Sequence, residues 1–236
     1  MRGCLVTLAL LVTIAIAATW LALPPLAGTL TQGALVAAGF KADAMTVTVS
    51  ADPPPRLLSL RADEVHVQAT NATYHGLQAV DVDLTLHDVR LADRTFGALE
   101  GTLHHVTSAG GLAGGVTIPL AVLTGTRDRV RVTMTFPISD AEDLAVEAVR
   151  RAIGIAPTRV TLAAPDRVRI EAGGLTIGAR LAINGEGALM LIPPEGATLG
   201  VLALVQPGPD GPFRLDSFRL AADELVVVAT LDPSFG

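Results

Sequence analysis

Ser139-Asp140-Ala141-Glu142-Asp143-Leu144-Ala145-Val146-Glu147-Ala148-Val149-Arg150-Arg151-Ala152-Ile153-Gly154 is the segment on which the fold turns. Within it Ala141, Leu144, Ala145, Ala148, Val149, Ala152 and Ile153 fall at three- and four-residue steps, so a helix gathers them into one apolar stripe. Ser139, with Glu142 three residues on, has the pattern of a capping box, and Gly154 followed by Pro157 marks a stop. The opposite face carries Asp143, Glu147, Arg150 and Arg151, with Glu147 and Arg151 at the four-residue spacing that supports an exposed helix face. Everything around this segment reads as strand. The expected fold is α+β, a lone amphipathic helix laid against a large antiparallel sheet.

The strands are read from alternation. Met45, Val47 and Val49 alternate with Thr46, Thr48 and Ser50, and Val65, Val67 and Ala69 with His66, Gln68 and Thr70. Val80, Val82, Leu84 and Leu86 alternate with Asp81, Asp83, Thr85 and His87, after which Val89 and Leu91 take the opposite phase. That change predicts a bulge or bend near His87 and Asp88. Further alternation runs through Val130, Val132, Met134 and Phe136, through Val168 and Ile170, and from Leu175 to Ile183. Alternation of one sign over many segments belongs to antiparallel sheet with one dry face. Residues 60–70 and 220–230 agree at seven of eleven positions, and residues 162–170 form a weaker third copy. Two readings stay open: convergent hairpin chemistry, or a repeated strand-turn-strand unit building one long sheet.

Composition narrows the function. Of 236 residues, 50% are hydrophobic, 17% charged and only 3% aromatic, with a net charge of -6 and no basic run. This argues against nucleic acid or sugar as a partner, since the sequence offers few stacking platforms and no basic run. The one cysteine, Cys4, lies in the apolar amino terminus, so no disulfide framework, cysteine zinc site or catalytic thiol is expected in the folded part.

From Leu5 to Leu23 every residue is apolar or Thr, behind Arg2. That length is enough to cross a hydrocarbon core of ~30 Å as a helix. We expect residues 1–26 to be an uncleaved signal anchor, with cleavage after Ala15-Ile16-Ala17 as the alternative, and residues 27–236 to be a single extracytoplasmic domain. Pro24 and Pro25 end the spanning helix. Leu26 to Phe40 reads as a second helix, either in the membrane interface or packed on the domain.

Reactive groups are not assembled. His66, His75, His87, His104 and His105 read as exposed sheet histidines, no serine lies in a nucleophile motif, and Gly110 to Gly115 is followed by strand-like sequence instead of the helix start that a phosphate loop needs. Neither catalytic residues, a metal site nor a cofactor is expected. What remains is a wide aliphatic face made of Val, Leu, Ala and Gly, which one slender Ala-rich helix would cover poorly.

The run Leu58-Ser59-Leu60-Arg61-Ala62-Asp63-Glu64-Val65, then Tyr74-His75-Gly76-Leu77 and Val80-Asp81-Val82-Asp83-Leu84-Thr85-Leu86-His87-Asp88-Val89, resembles the LmeA-like phospholipid-binding family; so do Val116-Thr117-Ile118, the helix after Phe136, and Leu175-Thr176-Ile177. The resemblance spans about residue 26 to the end. It implies a bacterial envelope protein that binds phospholipid, with a strongly twisted antiparallel sheet wrapped around a helix as in tubular lipid-binding domains, and it brings no catalytic residues. Acyl chains are then expected between the inward strand phase (Val65, Val67, Val82, Leu84, Val132, Met134, Leu175, Ile177, Leu181) and the helix stripe (Leu144, Val149, Ile153). The expected partners are a phospholipid or other acyl lipid, the cytoplasmic membrane through the amino-terminal segment, and an envelope protein. The rival is a non-enzymatic envelope scaffold or assembly factor with a fully packed core.

Overall fold

The computed structural model describes residues 23–74, 76–93, 95–108, 117–154, 156–196, 200–205 and 213–231. Strands β1 (Ala44–Ser50), β2 (Arg61–Tyr74), β3 (Leu77–Arg90), β4 (Ala98–Ser108), β5 (Thr117–Thr126) and β6 (Arg129–Pro137) form a meander in which each strand pairs with the next. A 16-residue helix follows, Ile138–Ile153, here α2. The chain then builds a second sheet from β7 (Arg159–Ala163), β8 (Arg167–Ala172), β9 (Leu175–Ile183), β10 (Leu189–Ile192) and β11 (Leu202–Val205). It returns with β12 (Phe213–Leu220) and β13 (Glu224–Leu231), β13 pairing with β6, so the first sheet has eight strands and the second five.

The structure is α+β and antiparallel, and it corrects the expected single sheet to two. The reason lies in α2. Its stripe is wide, and the helix packs on β6 and β13 on one side and on β7 and β11 on the other. Ala145 and Val149 between them are 0% exposed. The capping box does not form: Pro137 precedes the helix without a side-chain cap, and the Ser139 hydroxyl donates to Asp140 Oδ1 at 3.1 Å. Glu142 instead accepts the Leu162 N–H of β7 at 2.9 Å, tying the helix to the second sheet. The expected stop is present, with Gly154 at φ 70 donating its N–H to the Arg150 carbonyl at 2.9 Å. On the outer face Glu147 pairs with Arg150 at 2.7 Å and with Arg151 at 3.4 Å. The hydrogen bond from Arg150, then the charges of both arginines, hold its carboxyl below the usual range.

α2 is not the only helix. Residues 23–37 are helical as well, α1, with Pro24 and Pro25 inside the described part of it. The apolar run before it lies outside the described residues except for Leu23, as does Gly110 to Gly115. Among the described residues no helix is long and apolar enough to cross a membrane. Leu23, Ala27 and Leu35 pack with Val49, Leu57, Val65 and Val89 in a small second core, while Leu26, Leu30 and Val36 are exposed. α1 covers β1, the edge of the first sheet. Gln32 Nε2 donates to the Met45 carbonyl at 3.4 Å, and a Cβ on Gly28 would stand 2.6 Å from the Val47 carbonyl oxygen. Gly28→Leu is therefore expected to lift α1 from β1 at a cost of about 1–3 kcal/mol. Faster amide exchange across residues 44–50 of the full chain checks this; unchanged exchange would refute the packing.

The first sheet turns without losing its inward face. Asn71 in β2 and His105 in β4 adopt φ 48 and φ 50, and neither joins the ladder. On crossing this line the buried phase shifts from Ala69 to Ala72, from Val82 to Ala79, and from Ala121 to Ile118. Asp88, at φ 52, does the same for Val89 at the place where the sequence predicts a bend. The echoed segments fold differently: residues 220–230 and 162–170 are strand-turn-strand, whereas residues 61–70 run inside the single strand β2. The echo in sequence is therefore neither a shared hairpin nor a repeated unit.

Candidate functional site

Ladder register across β3 to β6 sets three rows side by side. They are Val82, Leu103, Ala121 and Met134; Leu84, Gly101, Leu123 and Val132; and Leu86, Leu99, Gly125 and Val130. Val82, Ala121, Met134 and Val130 are buried. Leu84, Leu86, Leu99, Leu103, Leu123 and Val132 are only half-buried. These six share one face of the sheet as an aliphatic panel: Leu84, Leu103 and Val132 pack against the core around α2, and Leu84 and Leu86 also border the second core. Fully burying such a side chain is worth about 1.5–3 kcal/mol, so the roughly one-fifth to one-third left uncovered on six of them offers a hydrocarbon guest on the order of 3 kcal/mol.

Gly101 shapes the panel. A Cβ there would lie 2.6 Å from Leu84 Cδ2 and 2.9 Å from Leu84 Cα, and closer still to the Asp83 carbonyl oxygen. Strands β3 and β4 thus approach beneath the panel as only a glycine permits.

Of the residues the sequence proposes as lining, Val82, Met134, Val149 and Leu181 are buried in the main core, and Leu84, Val132, Leu144 and Ile177 pack half-buried against it. Val65 and Val67 sit in the second core beneath α1. Ile153 ends α2, and its side chain is outside those described. Leu175 is corrected: it is 67% exposed, at the β8–β9 turn beside Gly173 and Gly174, and lines no interior. Leu86, Leu99, Leu103 and Leu123 are panel residues that sequence reasoning did not select.

The reverse of the panel is polar, as expected of an antiparallel sheet with one dry side. Across the ladder, His66 Nε2 lies 2.9 Å from Asp83 Oδ1, Gln68 Nε2 donates to Asp83 Oδ2 at 3.1 Å, and His87 stands 3.3 Å from Glu100. These partners are strand neighbours, which sequence spacing does not show. His104 and His105 are exposed, and among the described residues no three ligating side chains gather as a metal site would require. The hydrogen bond from Gln68, then that from His66, holds the Asp83 carboxyl below the usual range. A depressed carboxylate contributes stability above its unfolded pKa of about 3.9, and loses it as pH falls through the lower folded value. With a side chain 51% exposed, screening keeps this below about 1 kcal/mol. Asp83→Asn is expected to lower the urea midpoint slightly near neutral pH, the difference from the parent vanishing in strong acid; a constant difference would refute it.

The profile of one protein family, described as LmeA-like phospholipid-binding, matches residues 17–230. The chain belongs to that family. The match takes in both sheets up to the last residue but one of β13, and with them the whole panel. No curated protein and no solved structure matches the chain.

Proposed function

We propose that this is an extracytoplasmic phospholipid-binding protein of a bacterial cell envelope, held to the membrane by residues 1–26, with residues 27–236 as one lipid-carrying domain. The observation that carries this reading is the panel, a row-by-row aliphatic surface that the protein's own side chains leave partly uncovered, in a chain whose family is a phospholipid-binding one. Acyl chains lie along Leu84, Leu103, Leu123 and Val132, with the sheet turned around α2 in the manner of tubular lipid-binding domains. Two chains of roughly 30 methylenes face ~24 kcal/mol on leaving a bilayer for water, at ~0.8 kcal/mol per methylene. An aliphatic groove removes most of that cost, so exchange between groove and bilayer is close to thermoneutral, as carriage requires. The exposed, uncharged face of α1, with Leu26, Leu30 and Val36, lies in the bilayer interface next to the anchor. The chemistry is binding and not catalysis.

The test is native mass spectrometry of the full chain released from detergent, with extraction and identification of the bound lipid. A phospholipid adduct is expected on the parent and is reduced at least about tenfold in Leu103→Gln/Leu123→Gln, which sets two unpaired amides against the acyl chain at about 1–3 kcal/mol each. No adduct on either protein overturns the proposal and leaves the packed scaffold.

A further inference from the structure

The outer face of the second sheet carries a cluster of cations that is invisible as a run in the sequence. On β7, β8 and β9 the inward residues Val160, Leu162, Val168, Ile170 and Ala179 are buried, so the alternate phase faces out. Ladder register then sets Arg167 directly between Ala163 and Arg180, and Arg169 between Thr161 and Gly178. Arg180 is engaged by Asp166 at 3.0 Å, and Arg159 stands across from Glu171. Arg167 and Arg169 are exposed, and no carboxylate pairs with either among the described residues. The charge of Arg180 is met by Asp166, which leaves Arg167 and Arg169 as cations of this face that no carboxylate engages among the described residues.

These arginines border a groove of about 980 Å³ whose other wall is Ile192, Pro193 and Pro194, with Glu195 at its end. Ile192 is 41% exposed, and a Cβ added at Gly178, on the floor, would meet nothing within 4 Å. The groove is therefore an open notch with guanidinium groups on one side and an apolar ridge on the other.

We propose that this face docks on the surface of a bilayer containing anionic phospholipid, with Arg167 and Arg169 taking headgroup phosphates and the Ile192 to Pro194 ridge seated among them. Guanidinium groups bind phosphate oxygens through paired hydrogen bonds. The chain as a whole is at -6 and is repelled by such a surface, so docking needs an orientation that turns a cationic face such as this one to the bilayer. The face lies on the second sheet, whereas α1 covers β1 at the far edge of the first, so docking here is a second membrane contact, separate from the anchor. It goes beyond the acyl-chain reading and does not require it.

The test uses the full chain with Cys4→Ser and an environment-sensitive dye on Ala163→Cys, reconstituted in vesicles of phosphatidylcholine alone or of phosphatidylcholine mixed with phosphatidylglycerol. Blue-shifted emission and quenching by lipid-borne quenchers are expected only in the mixed vesicles. Raising salt from about 0.15 M to about 1 M, which shortens the screening length from about 8 Å to about 3 Å, abolishes both. Arg167→Gln/Arg169→Gln lowers the docking equilibrium constant about 25-fold, from about fivefold for each cation near an anionic surface. Arg129→Gln/Arg131→Gln, with the same charge removed from the first sheet, leaves it unchanged. Equal shielding in both vesicle types, a water-exposed dye in both, or equal effects of the two double variants would overturn the proposal. The phospholipid adduct in native mass spectra is read on the same proteins, so failure of docking and failure of acyl-chain binding are told apart.

Discussion

Val149→Asp is expected to leave no folded protein. Val149 is 0% exposed on the stretch of α2 that lies between the two sheets, and the arginines nearest in sequence, Arg150 and Arg151, are engaged by Glu147 on the opposite face of the helix. A carboxylate there has no cation to meet, and even after relaxation its desolvation costs several kcal/mol. That is comparable to the whole net stability of a domain, about 5–15 kcal/mol. Far-UV circular dichroism of the variant should show no cooperative urea transition, while Val149→Ala, losing about 2 kcal/mol of burial, keeps the transition at a lower midpoint. A Val149→Asp protein with the parental midpoint would show that this face of the helix reaches water.

Gly101→Val is the second large effect. The new Cβ would run into the backbone of Asp83 and Leu84, neither of which can yield without parting β3 from β4. Overpacking of this kind costs about 3 kcal/mol, and at about 3 °C per kcal/mol for a chain of this size the melting temperature should fall by about 10 °C. Gly178→Val is the control. It adds the same side chain to a strand glycine with open space above it, and should stay within about 0.5 kcal/mol of the parent. Equal losses at the two positions would mean that the strand approach at Gly101 is not what matters. Because Leu84 and Gly101 are ladder neighbours on the panel, Gly101→Val is also expected to lose bound lipid at temperatures where it remains folded.

The extent to which sequence showed this arrangement depended on phase. Leu84 and Val132 were readable because β3 and β6 alternate cleanly, and alternation reports which side of a strand is dry. Leu99, Leu103 and Leu123 were not. Gly101 interrupts the apolar phase of β4, His105 reverses it in the left-handed region, and Pro119 breaks the look of β5. The periodicity of α2 was plain, yet a period tells that a helix has an apolar side and not how many sheets share it; Glu142, read as a cap, proved to be the tie to β7. Leu175 had the right phase for the interior and sits past the point where the turn at Gly173 and Gly174 leaves anything to cover it. Arg167, Arg169 and Arg180 each fell on the polar phase, but their grouping exists only once β7, β8 and β9 are paired. The edge coverage by α1 was hidden for a similar reason, since Gly28 and Gln32 reveal their purpose only against the carbonyls of β1.

The account rests on an acyl chain lying against β3 to β6, and photolabelling reads that contact directly. A phospholipid with a photoreactive group near the end of one chain would be loaded into the full-length protein in vesicles, irradiated, and its attachment sites mapped by peptide mass spectrometry. Attachment at Leu84, Leu103, Leu123 and Val132, with Thr85, Thr102 and Thr124 on the reverse of the same strands unlabelled, is the predicted result. Attachment confined to α1 and the segment before it, with β3 to β6 unlabelled, would contradict it.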